Sequence, residues 1–172
     1  MKYVYLCLTL ALVPSNAQAA PFGITEGQSI KSLKVQERFG EKSFVISPPR
    51  PNSNFSEYVA IATPLHGVCA VIGRTNSFST FRDAYAKQSV LTKLLSKYGK
   101  STAVRPGERA PLVYTTPNDL PRQWKGQLPY GLDSITIETV GENKRFVVEL
   151  AYFYNNITKC QNWVPKGDKE GL

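Results

Sequence analysis

The stretch SITIETVGENKRFVVELAYFY, residues 134–154, decides how this chain folds. Ile135, Ile137 and Thr139 alternate with Thr136 and Glu138, the period of a strand whose two faces meet different surroundings. Gly141-Glu142-Asn143-Lys144 reads as a turn. Arg145 to Tyr154 then places Phe146, Val148, Leu150, Tyr152 and Tyr154 on one face and forms the longest strand signal in the chain. Two such runs joined by a short polar turn predict an antiparallel hairpin.

A second hairpin lies upstream. Tyr58 to Thr63 (YVAIAT) is short, apolar and β-prone, Pro64-Leu65-His66-Gly67 is a turn, and Val68 to Ile72 returns. Both runs are apolar on both faces, which predicts an inner place in a sheet. Between the hairpins runs the clearest helix, from about Thr80 to Tyr98. Thr80 and Asp83 supply an N-terminal cap, and Gly99 a stop. Phe81, Ala84, Tyr85, Leu91, Leu94, Leu95 and Tyr98 fall on one stripe, interrupted by Gln88. A stripe of this kind packs against a sheet.

Thr25 and Gln28 have capping-box spacing, and Ile30, Leu33 and Phe39 predict a shorter N-terminal helix ending at Gly40. Pro48, Pro49 and Pro51 then mark an extended linker. Residues 101–131 carry five scattered prolines and predict a long irregular loop, with a short strand at Leu112–Thr115 and a helical turn at Asn118–Trp124. The expected fold class is therefore α+β: a four- to five-stranded antiparallel sheet of two hairpins, one long amphipathic helix and a shorter N-terminal helix. It forms one domain over residues 20–164, followed by a polar tail at 165–172.

Residues 1–19 read as an export signal. Lys2 gives a positive start, Tyr3 to Val13 run without a charge, and Ala17-Gln18-Ala19 has the small-x-small pattern of a cleavage site. The apolar run is too short to cross a bilayer as a helix, and no later segment approaches eighteen consecutive apolar residues. The expected mature protein is thus soluble, periplasmic or secreted. Its net charge is +7, because the signal removes one lysine from a chain of net charge +8. Cys7 leaves with the signal. Cys69 and Cys160 remain as an even pair in an oxidising compartment, which predicts a disulfide. Closing a loop of 91 residues would restrict the unfolded chain by about 4–5 kcal/mol.

The motif inventory excludes more chemistry than it suggests. With one histidine and the cysteines engaged, a zinc site lacks its usual ligands, so no metal or cofactor is expected. No Gly-x-Ser-x-Gly elbow and no Gly-rich phosphate loop occurs. His66 lies three residues before Cys69, and this pair is the one handle for an enzyme reading: a small periplasmic hydrolase or thiol-dependent enzyme. The basic excess gives the other handle. Arg105, Arg109, Arg122 and Lys125 accompany Trp124 and Tyr130 in the loop region, a mixture suited to an anionic or ring-bearing partner. The expected function is an exported, non-enzymatic binding protein that engages an acidic protein or an anionic envelope polymer through this Arg/aromatic loop. No dense Lys/Arg run is present, so nucleic acid is not the expected partner. Asn156-Ile157-Thr158 has the form of a glycosylation triplet.

Several short motifs resemble a family of small exported bacterial proteins. They are Pro21-Phe22-Gly23 with Gly27, the Gly67-Val68-Cys69 centre of the first hairpin, the helix end Lys97-Tyr98-Gly99-Lys100, Glu108-Arg109, Trp124, and Tyr152–Tyr154 before Cys160. The loop from Ser101 to Gly131 departs most from that pattern. The resemblance implies the disulfide and the order hairpin, helix, hairpin. It implies no activity.

Overall fold

A computed structural model describes residues 20–104 and 120–165. Its centre is one eight-stranded antiparallel sheet. The strands are β1 (Lys34–Phe39), β2 (Ser43–Ser47), β3 (Glu57–Thr63), β4 (Gly67–Arg74), β5 (Thr102–Ala103), β6 (Arg122–Lys125), β7 (Leu132–Glu142) and β8 (Arg145–Tyr154). Their spatial order is β1-β2-β3-β4-β8-β7-β6-β5. Both anticipated hairpins, β3–β4 and β7–β8, are present and meet at the β4–β8 seam, where Ala70 pairs Phe153 and Arg74 pairs Glu149.

This sheet corrects the expected fold class. The protein is mostly β, with twice the smallest number of strands anticipated, and the N-terminal helix does not form. Only a 3-10 turn, Ile30–Ser32, lies there, and Lys34–Phe39 is a strand that turns at Gly40 into β2. Gly40 has φ +73°, so the residue read as a helix stop is a hairpin turn. All six β1 residues are exposed, which explains the miss: an edge strand held by backbone pairing needs no apolar alternation. Arg122–Lys125, read partly as a helical turn, is the strand β6. The anticipated strand at Leu112–Thr115 lies outside the described residues.

The long helix, α1 (Phe81–Leu94), continues through a 3-10 turn to Tyr98. The Thr80 hydroxyl accepts from the Asp83 amide at 3.1 Å and so caps its start. Ala84, Gln88, Leu91 and Leu95 are buried against β7 and β8, while Leu94 is exposed. Gln88, the interruption in the apolar stripe, is itself buried: its Oε1 accepts from the Thr139 hydroxyl of β7 at 2.8 Å. A buried amide with a partner avoids the penalty of an unmade hydrogen bond.

The face under α1 holds the main core, with Tyr58, Val71, Ile135, Ile137, Val148, Leu150, Tyr152 and Tyr154. The N-terminal segment closes one end of it. Phe22 packs edge-to-face on Phe55, Tyr58 and Tyr152 at centroid distances of 5.6, 4.9 and 5.5 Å. Gly73 lies beneath these rings, where a Cβ would stand 2.9 Å from Phe55 and 3.0 Å from Phe22. The hydroxyl of Tyr154 donates to the Ile24 carbonyl at 2.5 Å and ties the same segment to β8.

A second helix, α2 (Ile157–Asn162), follows β8 and packs on β3 and β4. Cys69 and Cys160 are joined across this contact, with Cα atoms 6.3 Å apart. Cys69 stands at an irregularity in the β3–β4 ladder, where Ile61 pairs Ala70 but Ala62 pairs Val68. The Lys42 ammonium donates to the carbonyls of Cys160 and Gln161 at 2.9 and 3.1 Å, completing the helix end. No helix among the described residues is long and apolar enough to cross a membrane.

Candidate functional site on the open face of the sheet

Strand alternation that sends one set of residues under α1 sends the other to the opposite face. Three cross-strand rows form its middle. Phe39, Ser43 and Ile61 stand beside Ala70; Val45, Val59 and Ile72 stand beside Ala151; and Glu57, Arg74, Glu149 and Glu138 follow one another across β3, β4, β8 and β7. These rows enclose a cavity of about 290 Å³ lined by Phe39, Ser43, Val59, Ile61, Ile72, Arg74 and Glu149. Its walls are mostly apolar and one end is ionic, the composition of a small-ligand site. Phe39 at its rim is 47% exposed although it is a large aromatic side chain.

The ionic end is ordered by register. Arg74 donates from Nη1 to Glu57 Oε1 at 2.7 Å and from Nε to Glu149 Oε1 at 3.0 Å. Glu149 is buried and Glu57 half-exposed. A carboxylate taken out of water is tolerated when a guanidinium meets it, and Arg is well suited because its planar fork presents several donors at once.

Of the six loop residues anticipated as a binding surface, four lie among the described residues, each in a different setting. Arg105 and Arg109 lie outside the described residues. Trp124 is 1% exposed and donates its Nε1 proton to the Gly99 carbonyl at 3.1 Å, so it fastens β6 to the end of the helical run. Tyr130 adopts φ +65° and packs against the core. Arg122, half-buried, lines a small polar cleft with Tyr85, Ser89 and Thr92 of α1, and Lys125 is exposed farther along β6.

His66 lines a separate cleft of about 390 Å³ with Ile30, Lys31 and Leu65. Cys69, its sequence neighbour, is fully buried and bonded to Cys160. A nucleophilic role would need the free thiolate, and hence an opened bridge. Among the described residues no three His, Cys, Asp or Glu side chains gather as a metal site. Asn156, the first residue of the glycosylation triplet, is buried and donates Nδ2 to the carbonyls of His66 and Val68 at 3.0 and 3.2 Å. Its amide therefore holds the first hairpin's turn to α2 in the folded chain.

The open-face site was missed because its parts are 17 and 75 residues apart and meet only through strand register. One signal was available: Glu149 is the single acid inside the apolar run 146–154, and such a residue in a buried strand calls for a cationic partner. No family model, curated protein or solved structure matches the chain.

Proposed function

We propose that the chain is an exported, non-enzymatic binding protein that holds an apolar ligand on the open face of its sheet. The carrying observation is the cavity between Phe39, Ile61 and Ile72, closed at one end by the Arg74–Glu149 pair. A preformed concave site with mostly apolar walls and few polar groups binds ligand without reorganising the core. The signal-like residues 1–19 and the Cys69–Cys160 pair support the export reading, since such bridges persist in oxidising compartments. The likeness of its short motifs to small exported bacterial proteins supports the same compartment.

The test is titration of the purified mature protein with N-phenyl-1-naphthylamine, a neutral dye that fluoresces in apolar surroundings. A saturable rise is expected, abolished in Ile61→Asn with circular dichroism unchanged. No saturable rise, or one that Ile61→Asn leaves intact, overturns the open-face reading. The loop reading makes a different prediction: replacing Arg105, Arg109, Arg122 and Lys125 together removes partner capture and leaves dye binding alone.

A further inference from the structure

We propose that the outward face of α1 docks on the surface of a bilayer containing anionic phospholipids. Residues 84–104 carry Lys87, Lys93, Lys97 and Lys100 and no Asp or Glu. In the turn before them Arg82 and Asp83 offset each other in charge, and the Thr80 hydroxyl donates to the Asp83 carboxylate at 2.7 Å. The helix turns Ala84, Gln88, Leu91 and Leu95 toward the sheet. Positions 90, 93, 94 and 97, at spacings of three and four, therefore share the other side. Val90 is 52% and Leu94 59% exposed, and Lys93, Lys97 and Lys100 are exposed beside them. One side of the helix is core, and the other keeps a separate aliphatic pair among lysines.

Among the described residues no salt bridge joins any of these four lysines to a carboxylate. Lys87 donates to the Asn54 side chain at 2.8 Å, and Lys97 lies 5.0 Å from the ring centroid of Tyr98. The loop that contains Asn54, residues 48–55, carries Arg50 and no acid. An acidic protein surface would answer the lysines and leave Val90 and Leu94 against polar groups. A bilayer answers both, because ammonium groups stay at the level of the phosphates while aliphatic side chains and lysine stems enter the acyl boundary. A recess of about 110 Å³, with Phe55, Leu91, Leu94, Lys97 and Tyr152 among its walls, extends the apolar surface inward. The helix covers the sheet face opposite the open-face cavity, so docking leaves that cavity clear and the two sites can be tested separately.

Cosedimentation of the mature protein with vesicles at physiological salt is the test. Saturable binding is expected to vesicles of equal parts phosphatidylglycerol and phosphatidylcholine, and no binding to phosphatidylcholine alone. Lys93→Gln with Lys97→Gln should weaken binding at least about tenfold, since each lysine near an anionic surface adds its own attraction. Leu94→Gln should weaken it about tenfold with every charge kept. Lys34→Gln with Lys159→Gln, an equal change of charge at exposed positions on β1 and α2, should leave it within about twofold. Every altered side chain is exposed, so circular dichroism should be unchanged throughout. Failure to bind the mixed vesicles, equally tight binding to phosphatidylcholine alone, or an equal loss in the Lys34 and Lys159 pair overturns the proposal. Undiminished binding by Leu94→Gln also overturns it and assigns the face to an acidic soluble partner instead.

Discussion

The two faces of the sheet are built from the same strands and do different work. Under α1, Ile135, Ile137, Val148 and Tyr154 are at most 1% exposed, and the polar groups among them, Gln88 and Thr139, answer each other. On the opposite face Ile61 and Ile72 keep part of their surface in solvent, Phe39 nearly half, and Glu57, Arg74, Glu149 and Glu138 stand in one row. The difference teaches where this protein stores stability and where it keeps surface for something else. Close packing makes the helix face intolerant of lost volume, while a face already holding a cavity has little packing to lose.

That contrast is sharpest for large truncations. Trp124→Ala on the helix face should remove about 3–5 kcal/mol of stability, read from the denaturant midpoint, because it leaves a void and strips Gly99 of its hydrogen bond. Removing the bridge with Cys69→Ser and Cys160→Ser should lower stability by about 2–5 kcal/mol, measured the same way, with α2 loosening from β3 and β4 first in hydrogen exchange.

Burial raises the tyrosines of the helix face above the usual phenol range: Tyr152 and Tyr154 strongly, Tyr98 less. In the unfolded chain a tyrosine ionises near pH 10. The folded state holds these protons more tightly, so their contribution is complete below pH 10 and is lost as pH rises beyond it. Chemical denaturation from pH 8 to 11.5 should show that decline. Tyr154→Phe should cost about 1 kcal/mol at pH 8 through the lost bond to Ile24, and make the alkaline decline shallower.

A truncation on the open face should cost far less than Trp124→Ala. Ile61→Ser should change stability by less than about 1.5 kcal/mol, since part of that side chain is already in solvent, while abolishing binding of the apolar dye. A loss as large as that of Trp124→Ala would mean that the open face is core after all, and would erase the contrast.

Particular residues show how far the sequence could be read. The alternation of 135–139 and 146–154 stated both strands of β7–β8 outright, and Thr80 with Gly99 bounded the helical run. Lys34–Phe39 failed because Ile30, Leu33 and Phe39 mimic a helical spacing while the strand itself is exposed throughout. β6 failed because four residues after Pro121 carry too little pattern, and Trp124, which the sequence allows either as packing or as a partner contact, donates to the Gly99 carbonyl. The open-face site was legible only as one anomaly, Glu149.

The sequence by itself determined the two hairpins, the helix between them and the availability of a single late cysteine pair. Those features rest on periodicity and spacing along a few neighbouring residues, and local sterics enforce them. The tertiary structure decided that eight strands share one sheet, that Trp124 faces inward, and that Glu57, Arg74, Glu149 and Glu138 form one row beside a cavity. Those features depend on how distant strands pair, and a shift of one residue in that pairing would have turned each of these side chains to the other face.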